Sequence, residues 1–331
     1  MALQIRDVHL PHRAVLAPME GVTDLPFRRL IRQVGGCGMT WTEFVPAASL
    51  AEEHRRALAT AEIDPDERPV AIQIYGREPG LLADGARYAE DLGASVVDVN
   101  FGCPSKKVCA HSGGSALLRE PVHARRIVAA VRAAVSVPFT VKMRAGWDPS
   151  SKNAPDIAWM CQEEGVDAVT VHWRTRADLY GGTRDAAIIA AVVDRVGIPV
   201  IANGDVVDAP TALALLADTG AAGVMIGRGA VRNPWVFREI EAALAGRPAP
   251  VVDLAERERV LLGYFERLRL AFHSDHGALG RIKKLARYFP GGIAGGDALR
   301  DAIWHSPTVD VALDRTRAFF AGAREAAVAA A

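Results

Sequence analysis

Eight short runs of β-branched and apolar residues recur up to residue 229, separated by stretches with helical spacing. They read AVLAPM (14–19), MTWTEFV (39–45), VAIQIYG (70–76), SVVDVNFG (95–102), FTVKMRAG (139–146), AVTVHWRT (168–175), PVIANGD (199–205) and GVMIGRG (223–229). Between them lie segments such as LADGARYAEDLG, VHARRIVAAVRAAV and APTALALLADTG, with apolar residues at helical spacing and glycine near the ends. Strands buried on both faces and alternating with helices belong to a parallel sheet. Eight such units predict an α/β fold, a (β/α)8 TIM barrel. A doubly wound open sheet is the rival, but its first strand leads into a turn of the form G-x-G-x-x-G. Here the first strand leads into APMEGVTD.

After WVFREIEAALAG the chain passes through RPAPVVD, and strand signals stop. LAERERVLLGYFERLRLAF, ALGRIKKLARYF and DVALDRTRAFFAGAREAAVAA read as amphipathic helices. The expected organisation is a barrel over residues 1–245 and an all-helical domain over 251–331, with the Ala-rich tail from 326 frayed.

Composition narrows the function classes. A chain of 331 residues, half of them hydrophobic, can build one large core and a second domain. Lys plus Arg equals Asp plus Glu at 39 each, so nothing attracts a polyanion globally, and nucleic-acid binding would need a local patch. No run of about 18 apolar residues occurs, so no membrane helix is expected. The first residues mix charges with apolar side chains and do not read as a signal peptide. Cys37, Cys103, Cys109 and Cys161 show neither a CxxC pair nor zinc-ligand spacing. Reduced thiols in a cytoplasmic, metal-free protein, taken as a monomer, are the expectation.

In a barrel of this type chemistry gathers where strands end and βα loops begin. The polar residues there are Met19 with Glu20, Glu43, Gln73, Asn100 with Cys103, Lys142 with Arg144, His172 with Arg174, Asn203 with Asp205, and Gly227 with Arg228. Singly, each has a structural explanation: a loop cap, a snorkelling lysine, a buried thiol acting as a small hydrophobe. Together, on otherwise apolar strands, they indicate a polar ligand site. Loops seven and eight, IANGDV and MIGRGAVRNPW, suit a phosphate, because Gly204, Gly227 and Gly229 let backbone N–H groups approach an anion and Arg228 adds charge. Lys142 and His172 on neighbouring strands suit the polar edge of a planar ring. These features point to a phosphate-bearing cofactor such as FMN.

These residues resemble the tRNA-dihydrouridine synthases, flavoenzymes that reduce uridine in folded tRNA. The resemblance rests on APMEGVTDLPFR, QIYG, DVNFGCPSKKV, GGSALL, VTVKMRAGWD, VHWRTR, PVIANGDV and GVMIGRGAVRNPWVFREI, in the family's order from about residue 14 to 240. NFGCPSKKV followed by GGSALL is the most specific element. The resemblance implies that Ala17, Pro18 and Met19 line the flavin and that Gln73, Lys142 and His172 contact its ring. It implies that Asn203, Gly204, Asp205, Gly227 and Arg228 hold the ribityl phosphate. Asn100 would orient the target uracil and Cys103 would be the general acid, with NADPH or NADH reducing FMN. Arg174, Lys106 and Lys107 are further substrate-binding candidates. In the helical domain RIKKLARY (281–288) places Arg281, Lys284, Arg287 and Tyr288 near one side of a helix, with Lys283 beside them, as a basic face for tRNA.

A thiol suits the acid role. Hydride addition to a conjugated C5–C6 bond leaves negative charge on C5, which a nearby acid must protonate. Cysteine thiols are mostly protonated at neutral pH. Lys106 and Lys107 could instead favour a thiolate, bind RNA phosphates, or be solvated; sequence leaves all three open. Trp173 stands where VHGRT would have glycine, and Cys109 where asparagine is common. Trp173 could stack in the pocket or point into the barrel wall. The alternatives are an FMN barrel acting on a small molecule, of the dihydroorotate or enoate type, and a non-catalytic RNA-binding barrel.

Overall fold

The structure, a computed structural model, describes residues 3–110, 113–272, 274–288 and 293–329. Eleven strands lie among them. An antiparallel hairpin, β1 (Leu3–Ile5) and β2 (Val8–Leu10), precedes β3 (Ala14–Leu16). Then come β4 (Thr40–Trp41), β5 (Val45–Pro46), β6 (Val70–Tyr75), β7 (Val96–Phe101), β8 (Phe139–Arg144), β9 (Ala168–His172), β10 (Val200–Asn203) and β11 (Gly223–Ile226). From β3 onward every pairing is parallel, in the order β3-β11-β10-β9-β8-β7-β6-β4, with β5 also on β6. The seam is closed by Leu16 N–H to Met39 O and Gly38 N–H to Ala14 O, at 3.0 and 2.8 Å. The result is the expected eight-unit TIM barrel, its second unit split into β4 and β5.

The barrel has two cores because side chains alternate along each strand. Ile72, Ile74, Val97, Val99, Phe101, Val141 and Val169 face outward and pack under the helices. Val15, Trp41, Ala71, Val96, Ala168, Ile201 and Met225 face inward. The hairpin contributes Leu3, Ile5 and Leu10 to that inner core, beside residues near the strands' N-terminal ends. It therefore plugs the end of the barrel opposite the βα loops. This hairpin was not expected; LQIRDVHL does alternate, with Arg6 at φ 52 in its turn.

The strand interiors also correct the expectation that only strand ends are polar. Gln73, Asp98, Thr140 and Thr170 point inward and are 0, 0, 2 and 1 % exposed. Polarity thus continues one layer beneath the C-terminal mouth.

Beyond the barrel helix Val236–Leu244 come Leu254–Ala271, Asp275–Ala286, Gly296–Trp304 and Val309–Ala329. The nine-residue Gly296–Trp304 was missed, since it lacks a long apolar stripe. Helix continues through Ala329 rather than fraying from 326; residues 330–331, and residue 289 at the end of ALGRIKKLARYF, lie outside the described residues. Tyr264 of the helical region meets Phe27 of the barrel helix Leu25–Val34 edge to face, ring centroids 6.1 Å apart. Arg281 pairs with Asp24 at 2.5 Å and with Glu43 at 3.4 Å, and Lys284 donates to Gly21 O at 2.9 Å. This region is thereby fastened to barrel loops one and two.

Candidate active site

A cavity of about 910 Å³ opens at the C-terminal mouth of the barrel. Its wall draws on loops one, two and four to eight, at the chemically exposed ends of those units. On one side β7 ends in a turn built around a single side chain. Asn100 Oδ1 accepts both the Gly102 and Cys103 backbone N–H groups, at 2.9 and 2.7 Å. Asn100 Nδ2 donates to Gln73 Oε1 at 2.8 Å. The turn presents Cys103 to the cavity with its thiol 3.5 Å from Ser105 Oγ. Arg144 holds the turn from β8, donating to Gly102 O at 3.1 Å.

Across the cavity Lys142 Nζ donates to Asn203 Oδ1 at 3.1 Å, and Asn203 Nδ2 donates to Met225 O at 2.7 Å. Burial, with Arg144 adding like charge, lowers the Lys142 ammonium to about 8. Burial and the charges of Lys142, Arg144, Arg174 and Arg228 hold His172 well below the usual histidine range, so its ring is neutral. Below the mouth, burial pushes the Asp98 carboxyl up to about 7 despite hydrogen bonds from Thr140 and Gln73 at 2.5 Å each.

Loops seven and eight form a close backbone cradle. Gly204 has φ 132, and a Cβ there would lie 2.2 Å from Trp173 Nε1. A Cβ on Gly229 would meet Val206 O at 2.3 Å. Only glycine fits either position. Asp205 receives a bidentate ion pair from Arg174, at 2.9 and 2.6 Å, and a third contact from Arg228 at 2.9 Å. Burial would raise its carboxyl, but the Arg174 hydrogen bonds and both positive charges win and leave it lowered.

The comparisons with known proteins agree with this geometry. The sequence pattern of dihydrouridine synthases matches residues 15–323. The chain belongs to the dihydrouridine synthase family. It is 41 % identical over 269 residues to tRNA-dihydrouridine synthase B of Pseudomonas aeruginosa, covering 81 % of both chains. It is 38 % identical over 325 residues to the Pseudomonas putida protein of the same name, covering 98 % of this chain and 96 % of the other. It is 43 % identical over 252 residues to a probable tRNA-dihydrouridine synthase of Rhodobacter capsulatus, covering 76 % and 77 %.

Within this family member the cavity brings together most of the residues singled out from sequence. Ala17, Pro18 and Met19 line it from loop one, and Asn100, Cys103 and Lys106 from loop four. Lys142, His172 and Arg174 line it from loops five and six, and Asn203, Gly204, Asp205, Gly227 and Arg228 from loops seven and eight. Gln73 does not reach the wall; it is fully buried between Asp98 and Asn100. Lys107 is exposed on the short helix Lys106–Ala110, outside the lining. Arg174 lines the cavity, but its guanidinium is held by Asp205 and by Gly181 O at 2.6 Å. Trp173 points into the wall, 2 % exposed, beneath Gly204 and with the Arg174 guanidinium 4.0 Å over its ring. Lys283, Lys284 and Arg287 lie apart from the cavity, on Asp275–Ala286 and its cap. Arg281 is a clamp rather than part of an open basic face. Cys109 sets its thiol 3.5 Å from Cys103 O, and burial raises it.

Sequence reasoning passed over Asp98, Arg176, Leu179 and Tyr180. The first had a signal: residues 98 and 100 share one face of a strand. The last two stand exposed at the cavity mouth, 50 and 64 %. Among the described residues no cluster of His, Cys, Asp or Glu could hold a metal, and no helix is long and apolar enough to cross a membrane.

Proposed function

We propose that this protein reduces the C5–C6 double bond of specific uridines in tRNA to 5,6-dihydrouridine, with FMN as its cofactor and NADPH, or NADH, as the reductant. The observation that carries the reading is the convergence on one cavity of Cys103, Lys142 and His172 with the glycine cradle of loops seven and eight. The donor set suits FMN. Gly204, Gly227 and the Arg228 side chain can receive a phosphate, with Asn203 and Asp205 beside them. Ala17, Pro18 and Met19 offer an apolar wall to a flat ring. FMN, once bound and reduced, supplies hydride chemistry suited to an electron-poor ring carbon such as uracil C6.

The chain's own residues do the rest. Lys142, positively charged below about pH 8, favours negative charge on the cofactor's polar edge. His172 is neutral, so it offers a hydrogen bond without adding charge. Asn100 holds the Cys103 amide and keeps one Nδ2 hydrogen for a ring carbonyl. Cys103 gives its proton to C5 as charge develops there. Lys106 and the neighbouring arginines of the mouth meet the RNA backbone, and Lys283 and Arg287 extend that contact in the helical region. On this reading residues 1–245 are the catalytic barrel and 251–331 the tRNA-binding domain.

The two half-reactions test it. Cys103→Ala leaves NADPH-driven bleaching of the flavin near normal. It slows dihydrouridine formation in tRNA by about 10²-fold or more, the usual range for a lost general acid. Cys109→Ala is mild by comparison. Release of FAD or of no flavin on heating, or wild-type turnover by Cys103→Ala, overturns the reading.

A further inference from the structure

Asp98 has no part in the chemistry described so far, yet it is a carboxylate with no exposure at the centre of the barrel. Trp41, Ala71, Val96, Ala168 and Ile201 surround this level of the interior. An unpaired carboxylate there is costly, so its partners define its role. Gln73 Nε2 donates to Oδ2 and Thr140 Oγ1 to Oδ1, both at 2.5 Å. The Gln73 contact does not end there. Its Oε1 accepts from Asn100 Nδ2, and Asn100 Oδ1 accepts the Gly102 and Cys103 N–H groups. Strand register builds this series: Gln73 stands opposite Asp98 on β6, and Asn100 follows Asp98 by two residues on β7.

Every donor in the series points the same way, from the Cys103 turn toward the carboxylate. The turn end has fixed polarity, since a backbone N–H only donates, and at the other end Asp98 Oδ2 serves as the acceptor. The two amides between them are therefore locked. Reversing either one sets N–H against N–H in a dry interior.

We propose that Asp98 is a positioning residue for the turn that carries Cys103, acting through the side-chain amides of Gln73 and Asn100. Two other roles compete: plain filling of the bore, and a counter-charge to Lys142. The three differ in what they require at residue 98. The relay needs an acceptor for Gln73, filling needs only volume, and the counter-charge needs an anion.

The test is the rate at which iodoacetamide alkylates Cys103, mapped by mass spectrometry in the full chain. Cys161, fully buried in the outer layer, reports whether each variant is folded. Asp98→Leu keeps the branched outline and still fills the site, with a larger volume, and removes the acceptor. It frees the turn and raises Cys103 alkylation about tenfold, the factor that corresponds to losing one net hydrogen bond of about 1.4 kcal/mol. Asp98→Asn keeps an acceptor for Gln73 and stays within about twofold of wild type, because the hydrogen-bond series survives. Thr140→Val, which touches Asp98 outside the series, also leaves Cys103 unchanged. A wild-type rate in Asp98→Leu overturns the proposal in favour of filling. An Asp98→Asn rate as high as that of Asp98→Leu overturns it in favour of counter-charge. If Cys161 reacts in Asp98→Leu, Gln73→Met cuts the same series and is judged by the same tenfold rise or its absence. The importance of the turn rests on Cys103 as the proton donor. The alkylation readout does not, so a failure of the relay and a failure of that role remain separate results.

Discussion

Lys142 shows how one buried side chain can couple chemistry to stability. Its ammonium is lowered to about 8 in the folded protein, chiefly by burial, against an ordinary 10.5. Between those values the unfolded chain holds a proton that the folded chain has released, so stability rises with pH across this window. Below about pH 8 both states are charged and the buried ammonium is a constant cost. Lys142→Met should therefore stabilise the cofactor-free protein most below pH 8, with the advantage shrinking as pH climbs toward 10.5. Urea midpoints of both proteins over a pH series check this; an advantage that grows with pH would refute it. Gly204 carries a second residue-scale prediction. Gly204→Ala forces an L residue to φ 132 and drives a methyl into Trp173. The expected cost is about 2 kcal/mol or more, seen as a thermal midpoint lower by several degrees. Gly204 stood out in the sequence, but its Trp173 floor was not readable from ANGDV alone, because the clash is with a side chain on a different strand.

Among elements, the helix Asp275–Ala286 holds more than its own bundle. Arg281 joins Asp24, Glu43 and the Gly21 carbonyl, and Glu43 in turn accepts from Gly21 N–H at 2.6 Å. The three charged side chains are 12, 19 and 16 % exposed. Removing the cation leaves two carboxylates facing each other in a partly buried site. Arg281→Ala should cost about 3 kcal/mol, and hydrogen exchange should rise in loop 20–24. Burial already raises the Glu43 carboxyl, so the defect should lessen in acid as Glu43 takes up a proton. Unchanged exchange in loop 20–24 would show that this contact does not fasten the loop. The same loop carries Met19 and Glu20 into the cavity wall, so the clamp links the helical region to the site by one short path.

At the scale of the whole molecule, net charge and local charge differ. Lysine plus arginine balances aspartate plus glutamate at 39 each, yet Lys106, Arg176, Arg228 and Arg232 all line the cavity. A polyanion would be met locally and not by a global field. In the helical region Lys283 is partly exposed, Arg287 is exposed with its guanidinium 5.8 Å over the Trp304 ring, and Lys284 already donates to Gly21 O. Lys283→Ala/Lys284→Ala/Arg287→Ala should bind tRNA with a salt slope shallower by about two, fewer than the three charges removed, with normal flavin content. Titrations of tRNA binding at several ionic strengths decide it; an unchanged slope moves the contact to Lys106, Lys107 and Arg119.

The order of residues by itself determined the architecture, because period-two strands buried on both faces and joined by helices pack well in few ways. It also marked the working end of the barrel, since polar residues gathered at the ends of all eight runs, and GCPSKK with GGSALL marked the family. The hairpin Leu3–Leu10 escaped because its three-residue strands are too short to stand out. Tertiary structure decided the rest. Asn100 reads as a free polar group until the turn folds back and takes its oxygen with two N–H groups. Gln73 reads as a cavity residue until β7 sets Asp98 opposite it. Trp173 could stack or retreat, and Gly204 settles it by leaving room for the indole beneath the backbone. Arg281 reads as one more cation on a basic helix, yet its partner lies 257 residues away. Periodicity is local and survives in the sequence, whereas hydrogen-bond partners and buried charges depend on which strands become neighbours.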